Sequence, residues 1–299
     1  MADHSAMPMQ ESRNHHFVPK LLLRPWLVRE PTGHHNLWGY WWNAERHRLV
    51  LKRRGLNSFC CQIDLLSLQA HHLGRDAIER FFFGEIDTKG AVARDILVET
   101  GPSGLSGDQR CDFGRLLLSL DMRRPAIVGD LRTKGREHLA RELDTDREIL
   151  AAMGEAGISE APSSYVENEL GCCLQDQALA AVQRLADNPV IGRRLINARW
   201  HIRRLRTDDG TLVLADRPLI RIHGYDRPGA TWVLPLAPNV AFLACNATAN
   251  LHRLVRLSGQ RFVKEVNRSS ANQAERFVFC VDQSHEIWLG KHLGRISAS

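Results

Sequence analysis

The sequence contains no apolar run approaching the ~20 residues that span a bilayer, so no transmembrane helix is expected. It has no C-x-x-C, which argues against a thiolate zinc site or a thioredoxin-like redox motif. There is no G-x-S-x-G elbow for an activated serine, and no glycine-rich loop follows a strand to cradle a nucleotide. Internal repeats and low-complexity tracts are missing too. The opening residues, MADHSAMPMQESRN, lack the apolar core of a secretory signal. Residues 1–13 are therefore expected to be a disordered polar tail, and the protein to be cytoplasmic. The 7 cysteines fit a reducing compartment, as two adjacent pairs (Cys60-Cys61, Cys172-Cys173) and three isolated thiols that read mostly as small core residues.

What is present is globular. Of 299 residues, 43% are hydrophobic and 25% charged, enough for one α+β domain over 14–299. The formal net charge of +6 favours phosphates, nucleic acid or other anionic partners.

Residues 36–54 predict a hairpin, with Leu37, Trp38, Tyr40 and Trp42 on the first strand and a turn near Asn43. Asp76-Ala-Ile-Glu79 has the spacing of a capping box opening a helix that runs to about Glu99. Glu85 would sit against that helix's apolar stripe or face solvent. Ser106-Gly-Asp-Gln109 opens a second helix, and Phe113, Leu116, Leu117 and Leu120 give it a buried face. Pro125 ends it, leaving Arg123 and Arg124 at a carboxyl end where the helix dipole favours cations. Residues 126–197 read as mostly helical: 133–154 as one solvated helix, 157–164 as a loop, and 165–186 and 189–197 as further helices. After Trp200 the period falls to two, which predicts a mostly antiparallel sheet, followed by a short helix and a last strand. The fold class is thus α+β: an N-terminal hairpin, a central helical bundle and a C-terminal, mostly antiparallel sheet.

The segments NHHFVPKLLLRPW, IERFFFGEID, SLDMRRP, LADRPLIRI, WVLPLAPNVAFLACN and VKEVNRSSANQAERFVF occur in this order from about 14 to 282. Together they resemble a protein family of unknown function. Its members open with H-H-x-V-P and an L-R pair. They then carry an I-E on a helix, an arginine two before a proline, an S-D-x-P strand end and a late asparagine. The resemblance marks His15, His16, Pro19, Arg24, Glu85, Arg123, Asp216, Pro218 and Asn267. Three positions depart from the pattern: Ala215 replaces the serine, Arg217 stands where asparagine is frequent, and Leu120 where glutamine is common. Roles needing that hydroxyl or amide do not transfer.

These marked residue types suggest a reaction. His15, His16, Glu85 and Asp216 are an oxygen-and-nitrogen set suited to Mn²⁺, Mg²⁺ or Zn²⁺. His16, Glu85 and Asp216 would supply catalysis through a metal-activated water, and Arg24, Arg123 and Asn267 would bind substrate. The expectation is a metal-dependent hydrolase acting on a phosphate-containing substrate, nucleases included. HHFVP also resembles the start of HNH nucleases, with Asn36 or Asn43 and His47 as later partners, but LLLRPWL reads as a packed apolar segment. A second expectation is a non-catalytic regulatory protein that holds nucleic acid, a phosphorylated ligand or a protein through Trp38, Trp41, Trp42, Arg53 and Arg54. A third is a metal-free enzyme with His16 as general base. The purely structural alternative pairs these charges with one another or with backbone, because buried charge requires partners. His34, His35, His71 and His72 read as surface residues.

Overall fold

The computed structural model describes residues 12–69, 71, 73–225 and 227–298. The chain forms two compact units, each assembled from three segments. Unit 1 takes in Met1–His15, Gln62–Gly84 and Pro125–Arg184; unit 2 takes in His16–Cys61, Glu85–Arg124 and Leu185–Ser299. The α+β class holds, with the hairpin, the central helices and the antiparallel sheet in the expected order. No helix among the described residues is long and apolar enough to cross a membrane.

Unit 1 is largely helical. Residues 1–11 of the expected tail, and His72, lie outside the described residues. Ser12 and Arg13 are tied down: the Ser12 amide donates to Asp76 at 3.0 Å, and Arg13 reaches Asp64 at 2.6 Å. That first bond explains why Asp76 is not a helix cap. Its carboxylate already serves Ser12, and the chain instead enters a π-helical turn at Ile78–Phe83 behind an uncapped Ala77. The helix expected over 133–154 is broken at Asp146. Its Oδ1 accepts from the amides of Glu148 and Ile149, capping a new helix at Arg147–Glu155. The loop expected at 157–164 already contains the start of a helix, Pro162–Asn168. Gly171, at φ 63°, separates that helix from Leu174–Ala186.

Unit 2 contains two sheets. In the first, His35–Asn43 is paired along one edge by Arg48–Arg54, the hairpin read from sequence. Its other edge takes Leu27–Arg29 opposite residues 35–37 and Val278–Cys280 opposite 38–40. Val278–Cys280 also pairs with Leu214–Ala215. Gly39 is required here, because a Cβ would stand 2.7 Å from the Phe59 ring. The tryptophans are packing groups. Trp38 donates to Glu30 and lies under Arg53, Trp41 meets Phe277 edge-on, and Trp42 packs beneath the helix Glu286–Ala298.

The second sheet is antiparallel throughout, in the order 199–204, 240–245, 231–237, 220–222. Its central strands are buried on both faces, so they read as apolar runs rather than alternating ones. Ala241, Leu243 and Cys245 face the helices Thr248–Arg256 and Gly259–Gln273 through Leu254, Phe262, Val263 and Val266. Phe242 points the other way, edge-on to Trp200 and to Phe113 of the helix Gly107–Met122, at 5.0 Å from each. Such pairs contribute about 0.5–1.5 kcal/mol beyond the area they bury. That helix carries the capping box expected at Ser106 and Gln109, and its four expected apolar residues are buried. This packing sets the end of helix 107–122, the edge strand 220–222 and the end of helix 259–273 around one polar cluster.

Candidate functional site

The residues marked by sequence have largely separate, backbone-directed partners. In unit 1, His15 is fully buried. Its Nδ1 accepts from the Leu66 amide at 2.9 Å, and its Nε2 lies 2.8 Å from the Ser12 carbonyl. The Nε2–H tautomer satisfies both bonds. In that state His15 has no lone pair left for a metal.

The other marked residues are in unit 2. His16 is half-buried, and Arg24 is exposed at the start of the turn Arg24–Trp26, whose Trp26 is buried. Glu85 faces solvent, 50% exposed, and pairs with Lys89 one helical turn on at 2.6 Å. That ammonium holds the carboxyl below its usual range. Arg123 is 0% exposed. It forks onto Asp87 at 2.7 and 3.0 Å and donates to Ser119 Oγ at 2.6 Å. Asp216 accepts three backbone amides, from Glu275 at 2.9, Arg276 at 2.8 and Phe277 at 2.9 Å. Burial pushes its carboxyl up to about 6, against the pull of those amides. Asn267 spans two backbone groups, accepting from the Val213 amide and donating to the Thr211 carbonyl, each at 2.9 Å. Asn43 and His47 are turn residues, Asn43 accepting from the Arg46 amide and His47 at φ 45°. Among the described residues, no group of three or more His, Cys, Asp and Glu side chains is placed to hold a metal ion.

Unit 2 does assemble a different polar cluster. Asp121, buried in the last turn of helix 107–122, accepts from Tyr225 Oη at 2.6 Å and lies 3.0 Å from Arg221 Nε. Arg124 lies 3.9 Å from the other Asp121 oxygen and 3.3 Å from Glu275. The Arg221 guanidinium covers the Tyr225 ring at 4.5 Å. Gln273 donates to the Arg217 carbonyl. Arg217, Arg221, Gly224 and Gln273 line a pocket of about 330 Å³. Burial, with the like charges of Arg124 and Arg221, pushes the Arg217 guanidinium down. Burial and the Asp121 carboxylate push the Tyr225 phenol up.

Among the described residues, the guanidiniums of Arg124, Arg217 and Arg221 gather beside the carboxylates of Asp121 and Glu275, with Asp216 next in the chain to Arg217. The Nε of Arg217 is buried with no hydrogen-bond partner among the described residues. A partly desolvated set of planar donors binds oxyanions. Sequence reading treated Arg217 only as a departure from the family pattern and passed over Asp121, Arg221 and Tyr225. The available signal was cation placement inside apolar text: DMRRP after a leucine-rich helix, and two arginines within DRPLIRI.

The fold and this cluster define an α+β chain with an arginine-rich pocket beside an edge strand. Residues 14–284 match the family described as protein of unknown function (DUF4238), and the chain belongs to that family. No curated protein and no solved structure matches it.

Proposed function

We propose that this protein binds a phosphate-bearing ligand in the pocket lined by Arg217, Arg221 and Gln273. The observation that carries this reading is the buried Nε of Arg217, without a hydrogen-bond partner among the described residues, in a pocket that Arg217 lines together with Arg221. A phosphodiester brings one negative charge and planar-matching acceptors to that place. Asp121 would serve as a positioning residue, holding Arg221 and Tyr225 at the pocket wall. The metal-dependent hydrolysis expected from sequence would need a divalent ion beside this ligand. The described residues offer no ligand cluster for one, so the reading stops at binding.

A dinucleoside monophosphate, titrated by calorimetry, tests it. Arg217→Gln and Arg221→Gln should each weaken binding tenfold or more, about 1.4 kcal/mol. The melting midpoint of unliganded Arg217→Gln should stay level or rise, because a crowded like charge has gone. Wild-type affinity in both variants would overturn the reading. A requirement for Mn²⁺ or Mg²⁺, abolished by EDTA, would restore the metal-dependent version.

A further inference from the structure

We infer that the Arg217–Arg221 pocket is one end of a track for a single strand of nucleic acid. This rests on the phosphate-binding reading above and extends it to a second depression. Arg193, Arg194, Asn197, Arg227, Pro228 and Asn246 line that depression, which encloses about 430 Å³.

Sheet register places the two together. Arg199 pairs with Cys245, Cys245 with Thr231, and Thr231 with Ile222. These four residues form one row across an end of the four-stranded sheet. Three strand spacings make that row about 15 Å wide. Gly224 follows the row on the edge strand and lines the first pocket. Asn197 precedes it, Asn246 follows it, and Arg227 and Pro228 precede Thr231, all lining the second. Gly224 and Arg227 belong to one turn, three residues apart, so their Cα atoms lie within about 11 Å.

The chemistry of both depressions is that of donors. Among the described residues that line them, none is acidic; Asp226, between Tyr225 and Arg227 in the sequence, lies outside the described residues. The dipole of helix Pro189–Asn197 accounts for cations at Arg193 and Arg194, but not for Arg227, which arrives exposed from the opposite turn. That turn also carries His223, exposed and held at φ 68°. A non-glycine residue in that region is uncommon, and such strain gathers at functional sites. His223 lies next in the chain to Gly224 of the first pocket, and an imidazole there offers a flat face on which a base can stack. Two separate concavities suit a flexible strand, which can bend a phosphate into each. A rigid duplex presents its phosphates on a convex cylinder and cannot do so.

Fluorescence anisotropy with a labelled twelve-nucleotide single strand tests the inference on the full chain. The Arg193→Gln/Arg194→Gln/Arg227→Gln variant should bind the twelve-mer at least tenfold more weakly. Its loss should be larger for the twelve-mer than for the dinucleotide. The slope of log affinity against log salt should become shallower by about 0.7, the contribution of the one single-strand phosphate that the second depression would hold. Arg227→Gln alone should show a smaller loss in the same direction, and it covers the case in which the triple variant fails to fold. His223→Ala should weaken the oligonucleotide and leave inorganic polyphosphate unaffected. Equal losses for both would overturn the assignment to nucleic acid in favour of polyphosphate. Unchanged twelve-mer binding in the triple and single variants would overturn the track while leaving the dinucleotide result standing. Equal binding of duplex, or equal competition by polyglutamate, would also overturn it. If Arg217→Gln and Arg221→Gln both leave dinucleotide binding intact, the underlying phosphate reading fails first.

Discussion

Arg123 is fully buried and Arg217 half-buried in the same unit, and their surroundings differ. Arg123 meets a forked carboxylate and a hydroxyl, so its charge is matched inside the fold. Arg217 stands near Arg124 and Arg221, whose like charges, with burial, push its guanidinium down against the pull of Asp121 and Glu275. The first arrangement holds helix 107–122 to Asp87 of helix Gly84–Thr100. The second leaves Arg217 half-exposed beside the pocket that it lines with Arg221 and Gln273, the pocket to which we assign a phosphate-bearing ligand.

Substitutions can break or sharpen that contrast. The largest effect should come from Arg123→Met, which leaves Asp87 without its partner. Loss of one member of a buried pair costs about 3 kcal/mol, to be read as a drop in the urea midpoint. A change below about 1 kcal/mol would erase the distinction from Arg217. Next in size is the pH response of Asp216. Its folded-state value of about 6 lies above the ~3.9 of an unfolded chain. Between those values the native state holds a proton that the unfolded state lacks. The group's contribution is therefore complete below about pH 4 and is lost as pH rises through about 6, on the order of 2–3 kcal/mol. The stability difference between wild type and Asp216→Asn, measured by urea titration from pH 4 to 7, should shrink or change sign over that window; a flat difference would contradict it. The smallest effect belongs to Glu85→Gln. Its pair with Lys89 is half exposed, and exposed i,i+4 pairs contribute little. The melting midpoint should not move measurably, and a clear drop would show that Glu85 has a buried role.

Local rules made part of this fold legible. The helix 107–122 was readable because its cap, apolar period and terminating proline all lie within twenty residues. The hairpin was readable for the same reason. The carboxy-terminal helix Glu286–Ala298 was missed. Its two glycines lower helix propensity, and Gly294 is there because the Trp42 ring fills the place of a Cβ, at 2.9 Å. The site was less legible still. Asp121 meets Tyr225 across 104 residues of chain, a pairing that only the finished topology produces. His15, Asp216 and Asn267 were singled out as metal-binding, catalytic and substrate-binding residues, and each has backbone partners in the fold. In sequence, however, an imidazole or carboxylate that receives backbone amides looks the same as one that holds a metal.

The strand Val278–Cys280 has a consequence for how the molecule is made. It seals the hairpin by pairing with Tyr40, Gly39 and Trp38 from roughly 240 residues away. Closing so long a loop is entropically costly and slow. During synthesis residues 38–40 of the hairpin must therefore wait, with that edge open, until a strand some 240 residues further on has left the ribosome. That interval is when the chain is most exposed to mispairing, and when a chaperone would have most to offer.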